Sequence, residues 1–148
     1  MYKILSVALF LISIASISIA QELTVYGSPH SVDSTLMKIY EVIEKNNFEI
    51  IETKEFASDK EEKKFSGKIY VISFETQAVV KDLMSCAPTA MLDMPLKLIL
   101  WNEYGDTYIG FMQTDEMKKR FMIKECDEIL TLLNRAMLKV VNDVVRKR

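Results

Sequence analysis

From Ile129 to Val145 the chain repeats apolar residues at helical spacing: Ile129, Leu132, Leu133, Ala136, Met137, Val140, Val141, Val144 and Val145. Residues three and four apart share one side of an α-helix, so the stretch predicts a long helix with a continuous apolar stripe. Such a stripe has to be covered by a second layer of structure. Arg146, Lys147 and Arg148 follow, cations that suit a helix C-terminus.

The covering layer reads as a sheet. Ile69 to Phe74 is rich in β-branched and aromatic residues and predicts a strand. Leu96–Trp101 and Thr107–Met112 predict two more, joined by the Gly-containing loop Asn102 to Asp106, the strongest hairpin signal in the chain. Leu23–Tyr26 and Phe48–Thr53 are shorter strand candidates. Ser31 is placed to cap a helix of about 15 residues that ends near Asn46-Asn47. Its apolar side is Leu36, Ile39, Tyr40 and Ile43. Gln77–Cys86 predicts a short helix with Val80, Leu83 and Met84 on one side, and Pro88 ends it or opens the next segment. Thr114-Asp115-Glu116 opens another helix, its acidic residues set against the positive end of the helix dipole. Glu55 to Lys68 is the most polar stretch and reads as a solvated loop or hairpin end. The order β-α-β-β-α-β-β-α predicts one α+β domain, a mainly antiparallel sheet with helices on one face.

Composition sharpens this. The chain has 148 residues, enough for one domain, and is 49% hydrophobic and 27% charged, which excludes a disordered chain. A net charge of −2 gives no reason to expect nucleic-acid binding. Fifteen of the first twenty residues are hydrophobic. Lys3, the apolar run Ile4 to Ile17 and the small residues of Ser18-Ile19-Ala20 have the layout of a secretory signal peptide cleaved before Gln21. A retained anchor fits less well, because the run is shorter than the roughly 20 apolar residues of a span and no basic flank follows it. No cysteine follows the run, so nothing suggests lipid attachment there. The expected product is a domain of residues 21–148, periplasmic or secreted, with no stable membrane span. The absence of an Asn-x-Ser/Thr site agrees with a bacterial periplasm.

Few residues could carry chemistry. His30 is the one histidine; it stands in a turn without neighbours at metal-ligand spacing and reads as a surface residue. Nucleophile-elbow, P-loop and dinucleotide fingerprints are absent, as is a C-x-x-C motif. Cys86 and Cys126 allow three readings. They form a disulfide in an oxidising compartment, or stay as two buried thiols, or Cys86 is reactive. Cys86 ends its helix, so the dipole does not lower its pKa. Met84, Cys86, Met91 and Met94 cluster as soft donors that could select Cu(I), although Met also fills cores. Lys81 and the run Lys118-Lys119-Arg120 read as solvated helix faces.

The stretch Cys86 to Trp101 resembles the signature of the domain of unknown function 302 family. Ala87, Pro88, Ala90, Asp93 and Pro95 agree with it, with Met94 where the family has Leu. The resemblance extends over about residues 24 to 145 and includes the Ser-Val-Asp-Ser-Thr opening of the first helix. It implies a five-stranded antiparallel sheet with helices on one face, and a homodimer. No established activity comes with it, and no cofactor is expected. Physics gives the motif a structural purpose: Pro88 and Pro95 bracket a turn, Asp93 accepts backbone N–H bonds within it, and Trp101 anchors packing or a dimer face. The functional alternative makes Cys86, Asp93 and Trp101 the rim of a ligand pocket. The expectation is therefore an exported, non-enzymatic domain that binds a small ligand or a partner protein. The alternatives are redox or sulfur-carrier activity through Cys86, with Asp93 as a neighbouring acid or base, and Cu(I) binding.

Overall fold

The computed structural model describes residues 23–57 and 67–146. The expected signal segment and the centre of the polar stretch, Asp59 to Lys64, lie outside the described residues. In chain order the elements are β1 (Leu23–Ser28), α1 (Val32–Lys45), β2 (Glu49–Ala57), β3 (Lys68–Glu75) and α2 (Gln77–Cys86). A 3-10 helix (Pro88–Asp93), β4 (Leu96–Glu103), β5 (Asp106–Met112), α3 (Thr114–Arg120) and α4 (Asp127–Val145) follow. The five strands form one antiparallel sheet in the order β1-β5-β4-β3-β2. This is the α+β domain that the sequence predicts.

Alternation along the strands explains the layering. Tyr70, Ile72 and Phe74 of β3, Leu96, Leu98 and Leu100 of β4, and Ile109 and Phe111 of β5 are buried and share one face. α1 adds Ile39 and Ile43 to that core, α2 adds Leu83, α3 adds Met117, and α4 adds Leu130, Leu133, Met137, Val140, Val141 and Val144. Burying some twenty apolar side chains supplies the driving force for the fold, at about 1.5–3 kcal/mol for each large one.

Local signals act as expected at most element ends. The Ser31 hydroxyl accepts the Ser34 N–H at 3.3 Å and caps α1. Asn46 ends that helix, and Asn47 turns the chain with φ 59°. The hairpin is tighter than its sequence suggests. β4 and β5 pair out to Glu103↔Asp106, leaving a two-residue turn. Tyr104 (φ 52°) and Gly105 (φ 92°) both take positive φ, the turn whose twist matches a hairpin.

Three expectations need correction. β2 continues through Glu55-Phe56 to Ala57 instead of stopping at Thr53, because β3 pairs with it as far as Ala57↔Lys68. The stripe of α4 includes Leu130, while Leu132 is 49% exposed, since the sheet selects a face rotated from the one read off the longest apolar run. In α2 only Leu83 is fully buried; Met84 is 53% exposed and Val79 packs on the core in its place.

Candidate functional site

α2 ends at Cys86, and Pro88 opens the 3-10 helix, where its missing N–H costs nothing. Ala90 is the buried residue of that short helix. Within it Met91 packs against the core, while Leu92 is 81% exposed. Asp93 closes it, and the cis Met94–Pro95 bond leads into β4. From the opposite side β5 ends at Met112 and α3 begins two residues later. α3 is fixed by buried Met117 and by the Thr114 hydroxyl, which donates to the Leu130 carbonyl at 3.0 Å.

These elements bring Arg120 to Asp93. The Arg120 Nη1 donates to both carboxylate oxygens at 2.8 Å. The carboxylate expected to accept backbone N–H bonds is instead held by a guanidinium, a stronger charge-assisted contact. The basic run is exposed to solvent as expected, and its side chains also meet carboxylates: Lys119 donates to Glu116 at 2.8 Å and Lys118 pairs with Asp127.

Beneath the Asp93–Arg120 pair lies a cavity of about 250 Å³. Its apolar lining is Leu96, Met112, Met117 and Met137; its polar lining is Asp93, Lys97, Gln113, Thr114, Glu116 and Arg120. Glu116 is almost wholly buried, and Lys119 balances its charge. Of the five motif residues expected around a pocket, Asp93 alone lines this one; Cys86, Pro88, Pro95 and Trp101 do not. Sequence reasoning missed Arg120, Glu116 and the three methionines. No local pattern marks them, because they come from β5, α3 and α4 and meet only in the folded chain.

The two cysteines are joined, with their Cα atoms 6.0 Å apart and 40 positions apart in sequence. The bridge ties the end of α2 to the N-cap of α4. Among the described residues no cysteine remains free, and no group of three His, Cys, Asp or Glu could hold a metal. The soft donors singled out in the sequence differ in their surroundings. Met84 is exposed, Cys86 is bridged, and Met91 and Met94 are half-buried against the core. His30 lies beside Lys38 on the first turns after β1.

Trp101 stands on the other face of the sheet. It stacks on Tyr108 with ring centroids 5.5 Å apart and lies over Gly110, where an added Cβ would meet its Cζ3 at 3.2 Å. Val25, Val71 and Ile99 share that face, and Val25 is 45% exposed. All the helices among the described residues send their buried side chains to the opposite face.

A five-stranded antiparallel sheet with one face covered by helices, and no helix over the other among the described residues, defines a small two-layer α+β domain. The sequence pattern of the family described as domain of unknown function DUF302 matches residues 25–140. The chain belongs to the DUF302 family. It is similar to a crystal structure of an uncharacterized conserved DUF302 protein from Bacillus stearothermophilus, with 15% identity and a TM-score of 0.73. That likeness covers 84% of this chain and 98% of the other, and at such identity it is a likeness of fold. No curated protein matches this chain.

Proposed function

We propose that this chain is an exported, non-enzymatic binding domain whose cavity under the Asp93–Arg120 pair holds a small ligand with an apolar body and a polar head. The observation that carries the reading is the lining: Leu96 and three methionines form an apolar surface, and paired charges ring it. Methionine adapts to irregular apolar shapes, and a few fixed polar groups orient what enters. The bridge engages both thiols, so a carrier role for Cys86 and a copper site that includes it are not favoured. The N-terminal apolar run supports export.

The test uses protein recovered from the exported fraction, its N-terminus read from the intact mass and its methionine methyl groups isotopically labelled. An amphiphilic probe, 8-anilinonaphthalene-1-sulfonate, is titrated in and followed by NMR. Met112, Met117 and Met137 should shift and saturate together, while exposed Met37, Met84 and Met122 stay in place. Shifts confined to the exposed methionines, or no saturable shift, would end the reading.

A second reading, a homodimer through the open sheet face, rests on a separate observation. The residues that β4 presents to that face run Lys97, Ile99, Trp101, Glu103, from cation through apolar to anion. A second copy laid over it with β4 antiparallel sets each Lys97 against the partner's Glu103 and each Ile99 against the partner's Trp101. Such self-complementarity is what a twofold interface requires.

A further inference from the structure

We propose that the Cys86–Cys126 disulfide is a redox latch on the cavity, an inference that rests on the ligand-site reading and adds its regulation. The 3-10 helix forms one wall of the cavity through Asp93. It buries Ala90 and packs Met91 against the core, while Leu92 stands in water. Two cross-links hold it to the corner between α3 and α4. One is the Asp93–Arg120 ion pair, and the other is the disulfide, which fastens the residue just before Ala87-Pro88 to Cys126.

The corner receiving both links is itself under backbone strain. Met122 (φ 50°) and Cys126 (φ 75°) are non-glycine residues in the left-handed region, and Met122 is 81% exposed. Such residues persist only where their surroundings over-determine them, and the bridge is one of those constraints at Cys126. No side chain caps the N-terminus of α4 there.

The chemistry is two-electron thiol–disulfide exchange with a dithiol reductant. Cys86 is the more exposed cysteine, so the reductant's thiolate attacks the Cys86 sulfur and the S–S bond breaks. Cys126 leaves as a thiolate at the N-cap of a 19-residue helix, a position that favours negative charge. Asp127 and Glu128 in the same turn oppose that charge, and Lys118 offsets Asp127. The reductant's second thiol then resolves the mixed disulfide. Cys86 and Cys126 end as two thiols, two protons are taken up, and the reductant becomes a disulfide. With the covalent link gone, the Asp93–Arg120 ion pair is the cross-link that remains between this wall and the α3–α4 corner.

Amide hydrogen exchange on the full protein, oxidised and reduced with dithiothreitol, reads the latch without any ligand. Reduction should speed exchange at residues 87–94 and 120–126 by about tenfold or more, while the β3–β4 amides keep their rates. Cys86→Ser/Cys126→Ser should match the reduced protein, and Asp93→Asn should add to its effect. Equal exchange in both states, or acceleration spread evenly through the sheet, would overturn the proposal. Because exchange needs no probe molecule, failure of the latch and failure of the ligand site are separate results.

Discussion

At the scale of single residues, ionisable pairs show how position overrides type. Lys118, Lys119 and Arg120 look alike in sequence, yet each has a different carboxylate partner, and only Arg120 bridges to the motif. A second cluster lies where β2 pairs with β3. Lys68 pairs with Glu55 at 3.3 Å and is raised above the ordinary lysine pKa, Glu55 being the largest cause and Tyr70 adding to it. Tyr70 is raised by burial, with Lys68 acting in the opposite direction. Both groups bind their protons more tightly folded than unfolded. Their contribution to stability is complete below the unfolded values, about 10 for both, and is lost as the pH rises through the folded ones. Urea midpoints measured from about pH 9 to about pH 11 should therefore fall more steeply for the wild type than for Tyr70→Phe. Parallel curves would refute this.

At the scale of elements, the β4–β5 turn is decided by backbone conformation. Gly105 has φ 92° and open space where a Cβ would stand. An alanine there meets no neighbour, so its whole cost is the left-handed backbone. Gly105→Ala should destabilise by about 1–2 kcal/mol in equilibrium unfolding. Gly27→Ala, also with open space but without positive φ, is the control and should change stability by less than about 1 kcal/mol. Similar losses at both positions would mean that the turn conformation is not what Gly105 provides. The hairpin was legible because strand alternation and Gly105 are local signals. The extent of β2 was not, since Glu55 to Ala57 read as loop until β3 supplies their ladder partners.

At the scale of the whole molecule, the open sheet face leads to a prediction about assembly. Lys97→Glu or Glu103→Lys alone should shift a dimer toward monomer in sedimentation equilibrium, since each sets like charges across the twofold axis. The double exchange should restore it by reversing the order of charge along β4. A monomeric wild type, or a double variant no better than either single one, would exclude this face as the contact. Lys97 donates to the Pro95 carbonyl and Glu103 accepts from Trp101 Nε1, so both side chains already lie along the strand.

The sequence by itself determined the class of fold, the order of elements, and the residues on which family membership rests. Those follow from periodicity, caps and turn residues, which act over a few positions. The folded chain alone decided which side of α4 is buried and that Asp93 meets Arg120. It also decided that Cys86 meets Cys126, and that Met112, Met117 and Met137 line one cavity. The reason is distance along the chain. These partners are up to 40 positions apart, and only the packing of the elements around the core brings them together.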